Sequence, residues 1–201
     1  LSLRRWFMAI YLISQAKTGL SALALMRHLG VSYQTAWLVH HKLMAVMTAR
    51  EERYVLEGQV QIDDAYLGGE RNGGTAGRGS ENKVPFIAAV SLTDDGRPVR
   101  AKLTPVATFS SEAVAQWARS NLAVGCTVRS DGLGCFRAVT TAGCRHEPVT
   151  IAGRKPKEMP EFQWVNTVLG NLKTSLSGCY HAFAYRKYAA RYLGAFAYRF
   201  N

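Results

Sequence analysis

The spacing of apolar positions divides the chain into a helical N-terminal quarter and a longer mixed remainder. Trp6, Phe7, Ile10, Tyr11 and Ile13 lie close to one face of a helix over residues 4–15, which Lys17-Thr18-Gly19 stops. Ser21 is placed to cap a second helix carrying Leu23, Leu25, Met26 and Leu29. Gly30 breaks that helix, and Ser32 caps a third that runs from Tyr33 to about Thr48. Two helices joined by a short Gly-containing turn form a helix-turn-helix pattern, although an ordinary helical hairpin reads the same way. A charged link, Arg50 to Glu57, leads into the remainder.

There the period changes. In residues 58–67, Val60 and Ile62 point one way and Gln61 and Asp63 the other, as in a strand. Val84–Leu92 is a strongly apolar strand, Asp94-Asp95-Gly96 a turn, and Pro98–Thr104 a third strand, so 58–104 predicts a three-stranded meander. Between the first two strands, Gly68–Ser80 holds six glycines with Arg71 and Arg78. It lacks a phosphate-cradling fingerprint and reads as a mobile basic loop. Ser110 or Ser111 caps a helix through about Asn121, with Ala113, Val114, Trp117 and Ala118 inward. A strand over Cys126–Ser130, a short helix over Leu133–Val139 and a strand over His146–Ile151 come next, then a basic linker, Arg154-Lys155-Pro156-Lys157. From Pro160 the pattern is helical, with a stripe of Val165, Val168, Leu172 and Leu176, and a last helical segment runs from Tyr180, with Tyr188, Tyr192 and Phe196 as core positions. This order predicts an α/β fold, a mixed sheet flanked by helices, preceded by a small all-α region. The expected units are residues 1–50 and 56–201.

Composition adds a partner class. The chain has 201 residues, 48% of them hydrophobic, enough for a sizeable core. No apolar run reaches the ~18 residues of a membrane helix. The net charge is +11, and it is unevenly spread. Residues 1–50 hold six Lys/Arg and no Asp/Glu, and residues 151–201 hold eight basic against two acidic, whereas 51–100, around Asp63 and Asp64, is acidic by three. Basic flanks around an acidic centre suit a polyanion held over a cation site. Cys126, Cys135, Cys144 and Cys179 lack zinc-knuckle spacing and read as small buried hydrophobes in a reducing compartment. Leu1 is not a natural start and no signal-peptide pattern comes after it. The expectation is therefore a cytoplasmic protein whose N-terminus extends beyond this sequence.

The candidate chemistry rests on four residues. Asp63 and Asp131 lie near the ends of predicted strands, and neighbouring strands would bring both carboxylates to one metal. Asn166 and Lys173 are seven residues apart, two turns along one helical face, where Asn166 can offer an amide oxygen and Lys173 can hold a phosphate. Two hard cations bracketing a phosphate would activate an attacking oxygen and stabilise the leaving one. Each residue alone has a plainer reading: Asp63-Asp64 as a turn, Asp131-Gly132 as a β-turn, Asn166 as a helix-start residue. Asp64 and His146 are candidate supports around the ligands, with a purely structural histidine the plainer role for His146. Ser32, Tyr33, Gln34 and Thr35, at the exposed start of the third helix, are candidates for base-edge and phosphate contacts. Arg186, Lys187 and Arg191 are candidates for phosphate.

These residues carry a family resemblance. Ile62-Asp63-Asp64-Ala65-Tyr66-Leu67-Gly68-Gly69 resembles the first-aspartate motif of bacterial insertion-sequence transposases of the ISXO-like kind, which have a ribonuclease H-like core. Ser130-Asp131-Gly132 resembles the second motif. Val165-Asn166-Thr167 with Lys173, then Gly178-Cys179-Tyr180-His181, resembles the third in its Asp-Asp-Asn form. Asn166 lies 35 residues after Asp131, the spacing expected there, and Tyr192-Leu193 and Tyr198-Arg199-Phe200-Asn201 resemble the C-terminal helix. The resemblance spans roughly residues 4–201, without the cysteine zinc ribbon that usually precedes the helix-turn-helix in such proteins. It implies Mg²⁺ or Mn²⁺ at Asp63, Asp131 and Asn166, double-stranded DNA as substrate, hydrolysis at the transposon end, strand transfer by the freed 3′-hydroxyl, and a homodimer or larger oligomer pairing two DNA ends. The alternatives are a catalytically inactive or domesticated DNA-binding remnant and a host nuclease acting on RNA–DNA hybrids.

Overall fold

Three serines set the helix starts. Ser21 Oγ accepts from Ala24 N–H at 3.1 Å, Ser32 Oγ from Thr35 N–H at 3.3 Å, and Ser110 Oγ from Ala113 N–H at 3.2 Å, each satisfying an N–H of the first turn. They open α2 (Ala22–Leu29), α3 (Tyr33–Glu51) and α4 (Ser111–Asn121); α1 (Leu3–Gln15) precedes them. Gly30 ends α2 in the left-handed region, at φ 59°, where a residue without Cβ turns the chain into α3 without strain. The computed structural model describes residues 1–69, 80, 82–149, 153, 159–180 and 183–201. Most of the glycine-rich segment with Arg71 and Arg78, the end of the strand expected through Ile151, the 154–157 linker and His181 lie outside the described residues.

The strands are β1 (Gln59–Leu67), β2 (Val84–Leu92), β3 (Pro98–Pro105), β4 (Thr127–Ser130) and β5 (Arg145–Pro148), in the order β3-β2-β1-β4-β5. The expected meander forms the antiparallel half, while β4 and β5 add in parallel to β1. Two layers cover the sheet. Val60, Ile62, Ile87, Ala89 and Val128 pack under Val114, Trp117 and Ala118 of α4 and under Phe136 and Val139 of a 3₁₀ helix, Gly134–Ala142. On the opposite face, Leu67, Phe86, Ala88 and Val90 pack under Val165, Val168 and Leu172 of α5 (Gln163–Ser175) and under Ala189, Leu193 and Phe196 of α6 (Tyr185–Phe200). The period-2 reading of β1 is the reason: alternate residues feed alternate cores. The result is an α/β mixed sheet flanked by helices, as expected for a ribonuclease H-like transposase core, with a helical region before it.

Three local expectations change. The segment after Thr48 is more than a charged link: α3 runs on through Glu51, which is buried because Arg100 Nη1 (2.9 Å) and Asn201 Nδ2 (2.6 Å) donate to its Oε2. The short helix after Asp131 is 3₁₀, over Gly134–Ala142. The last helix begins at Tyr185, while Leu176–Tyr180 continues α5 as a π turn. The N-terminal helices also do not enclose their own core. Ala9, Ile13, Leu25, Leu29, Ala36, Val39 and Met44 close against Ala195, Tyr192 and Tyr198 of α6. α6 is therefore apolar on two sides, one facing the sheet and one facing α1–α3. Gly194 lets it approach α3: a Cβ there would stand inside contact distance of Thr48 Oγ1 and 2.8 Å from Thr48 Cβ.

Candidate active site

The sheet puts Asp63 in its middle. β1 lies between β2 and β4, and Asp63 pairs across from Ala88. The parallel register runs Gln59↔Thr127, Val60↔Val128, Gln61↔Arg129. Continued by two residues, it levels Asp63 with Asp131, the first residue after β4 ends. Asp131 Oδ1 accepts from Leu133 N–H at 3.1 Å, the turn geometry that a short carboxylate makes with its own backbone. Asp63 Oδ1 accepts from Asp64 N–H at 2.9 Å. Asp63, Asp64 and Asp131, all half-buried, can each present one oxygen so that all three atoms lie within 4.8 Å of one another.

Three carboxylates this close repel, by about 4 kcal/mol per ionised pair at 4 Å in an effective dielectric of about 20. Asp63 shows the effect: burial first, then the charges of Asp64 and Asp131, push its pKa up to about 7, against the smaller opposing pull of the Asp64 N–H. A divalent cation resolves this. Hard oxygen donors at this separation are the ligand set that Mg²⁺ or Mn²⁺ takes, with water or phosphate oxygens completing the shell. The residues present fit the ion.

His146 reaches Asp131 through one intermediary. Ser130 is fully buried, and its Oγ donates to Asp131 O at 2.8 Å while standing 2.8 Å from His146 Nε2. A serine hydroxyl has one proton, so with that proton on Asp131 O the histidine must donate, which fixes its Nε2–H tautomer. Burial, then Arg137, lower the His146 pKa and keep the ring neutral at neutral pH.

Asn166 and Lys173 lie on α5, packed against the same face of β1 that carries Asp63. Asn166 is half-buried, and Lys173 is exposed at the rim of a cleft of about 460 Å³ lined by Ala65, Leu67, Phe86, Leu169 and Tyr185. Of the nucleic-acid candidates, Ser32, Tyr33 and Gln34 are exposed and Thr35 half-exposed at the start of α3, where Ser32 and Thr35 hydroxyls bond each other at 3.0 Å. Arg186 and Lys187 are exposed in the first turn of α6, and Arg191 instead turns to His41 Nδ1 at 3.3 Å. The structure thus gathers Asp63, Asp64 and Asp131 directly, holds His146 behind Asp131, and sets the candidate nucleic-acid residues on the helices.

Sequence reasoning missed Gln61. It is 3% exposed, and its Oε1 accepts from Trp164 N–H at 3.0 Å and Val165 N–H at 3.1 Å. The available signal was a neutral polar residue two positions before Asp63, on the same face of the strand.

No curated protein matches the chain. Over residues 55–201, from the entrance of β1 to the end of α6, the sequence matches the family model described as ISXO2-like transposase domain. The aspartates at the end of a parallel ladder and a match over most of the chain lead to one conclusion: the chain belongs to this insertion-sequence transposase family.

Proposed function

We propose that the protein is a Mg²⁺- or Mn²⁺-dependent DNA transposase that cuts at insertion-sequence ends and transfers the freed strand. The observation that carries this is the convergence of Asp63, Asp64 and Asp131 at the sheet's parallel half. Asp63 and Asp131 would hold the cation with Asn166 as a neutral third ligand, and Asp64 and His146 would support them. When bound, the ion supplies Lewis acidity that stabilises charge on the phosphate oxygens and activates the attacking hydroxyl. Asp63 gives up its proton to bind, so its high pKa makes activity fall as pH drops through about 7. The Lys173 ammonium holds a backbone phosphate beside the carboxylates, and orientation of the strand in line supplies much of the rate. The start of α3, with Ser32, Tyr33, Gln34 and Thr35, reads terminal inverted repeats as a helix-turn-helix does, and Arg186 and Lys187 hold phosphates. Two copies on the two ends of one element form the working assembly, in a bacterial cytoplasm.

Cleavage of a labelled duplex carrying the inverted repeat tests this. Asp63→Ala and Asp131→Ala lose about a thousandfold or more of Mg²⁺-dependent cleavage while DNA affinity stays within about threefold. Retained cleavage by either variant overturns the reading. A neutral Asn166 favours one second reading, a DNA-binding remnant without catalysis; a wild-type chain that shifts repeat DNA and takes up no Mn²⁺ establishes it.

A further inference from the structure

The metal-site reading leaves the buried Gln61 side chain unexplained. Gln61 stands two residues before Asp63, about 6.6 Å along the same face of β1. α5 begins without a side-chain cap of its own: Phe162, at its N-cap, makes no side-chain hydrogen bond, and of the first-turn N–H groups Gln163 turns back to Pro160 O. Gln61 Oε1 accepts two of them, from Trp164 and Val165, across more than a hundred residues of sequence. A cap from a neighbouring element does what a local serine does and also pins the helix to the strand that supplies it. Asn166 is the next residue after Val165. The strand therefore holds the start of α5 at a fixed distance from Asp63, and the covalent chain from Gln61 to Asp63 sets that distance.

The residue type fits this task. A glutamate would accept the same two N–H groups and add a fourth negative charge behind Asp63, Asp64 and Asp131. A serine or asparagine would fall short of the helix. A leucine of similar size would leave the Trp164 and Val165 N–H groups unpaired. Neutrality and reach together leave glutamine.

We infer that Gln61 is a positioning residue for the metal site: by capping α5 from β1 it fixes Asn166 relative to Asp63 and Asp131. The inference rests on the reading of Asn166 as a third ligand. It predicts coupling between two residues on different elements, which a merely structural role for Gln61 does not.

The test uses the full chain and Mn²⁺ alone as probe, with bound ion monitored by its electron paramagnetic resonance signal and amide exchange monitored at Trp164 and Val165. Gln61→Leu weakens Mn²⁺ binding about tenfold or more, the cost of losing a support behind a ligand, and speeds exchange at both amides, while DNA affinity stays within about threefold. In an Asn166→Ala background, Gln61→Leu brings no further loss of Mn²⁺ binding, because the residue it positions is gone. If Gln61→Leu does not fold, Gln61→Asn, which withdraws the oxygen by one methylene, carries the same comparison. Unchanged Mn²⁺ affinity in a folded Gln61 variant, or an undiminished effect in the Asn166→Ala background, overturns the inference and leaves the metal site standing. A wild-type chain that binds no Mn²⁺ overturns the metal site itself, and this inference with it.

Discussion

Two regions of the molecule bury acidic side chains and treat them in opposite ways. At the seam between α3, the sheet and α6, Glu51 is 5% exposed and fully answered: Arg100 and Asn201 donate to one carboxylate oxygen, and the Arg100 guanidinium stacks over Tyr54 at 3.9 Å. Asn201 completes the arrangement by accepting from Ala101 N–H at 2.8 Å and donating to Ala101 O at 3.1 Å, so its side chain pairs with the sheet's edge strand. At the carboxylate cluster, Asp63 gathers two further acids and no ion pair among the described residues. One region is electrostatically complete. In the other, burial and two neighbouring carboxylates hold the Asp63 pKa up at about 7. The contrast sets a buried acid answered by hydrogen-bonding partners against a half-buried one crowded by like charges.

Substitutions can break that contrast. The largest effect is expected at the seam: Glu51→Ala leaves Arg100 without its partner and Asn201 without its acceptor, lowering stability by about 3–4 kcal/mol in urea unfolding. A loss below about 1 kcal/mol would show that the seam is not held by charge. Gly194→Ala comes next, at about 2 kcal/mol, because the added methyl meets not only Thr48 Oγ1 but also, at 2.8 Å, Thr48 Cβ, which no side-chain rotation moves away.

Asp63→Asn acts in the other direction. The folded pKa of Asp63, about 7, lies above the unfolded 3.8, so the folded chain holds the extra proton between those values. The stability tied to that proton is complete below about pH 4 and is lost as pH rises through about 7. The substituted amide has no proton to lose, so the variant matches the wild type near pH 4 and exceeds it by about 1–2 kcal/mol at pH 8, a shift discounted for partial exposure. Adding Mn²⁺ at pH 8 raises the wild-type melting temperature and erases the difference. A variant that is less stable than wild type at pH 8 would remove the contrast. The smallest effect is a control on the surface: Arg97, paired to Asp95 at 3.0 Å with both side chains well exposed, changes stability by less than about 0.5 kcal/mol when replaced by alanine.

What the sequence disclosed and what it withheld divide along the same line. β1 was legible because alternate residues feed alternate cores, β2 because it is a continuous apolar run, β3 because a turn precedes it, and α2, α3 and α4 because Ser21, Ser32 and Ser110 cap them locally. Asp131 was legible as a strand-end acid, whereas Asp63, expected at a strand end, lies in the middle of β1, which pairs on through Leu67; the parallel register that levels the two comes from β4 joining β1. Features made by distant partners were not legible. Glu51 looked like part of a charged link because Arg100 and Asn201 stand 49 and 150 residues away. Gln61 looked like one polar position in an alternating strand because the first amide it caps, Trp164 N–H, lies 103 residues later. The end of α5 was blurred because a π turn keeps helical spacing locally while shifting the register of the residues after it, so the apolar stripe through Leu176 ran on without a visible break.

The two-sided apolar character of α6 has a kinetic consequence. The N-terminal helices gain their last wall from residues 192–198, so their core closes over an intervening stretch of more than 130 residues. Contacts of such long sequence separation form slowly, and a chain emerging from the ribosome presents α1–α3 with their inner face open until α6 has been made. Translation that stops short of α6 therefore yields a product in which α1–α3 are unfinished in structure and exposed to proteolysis.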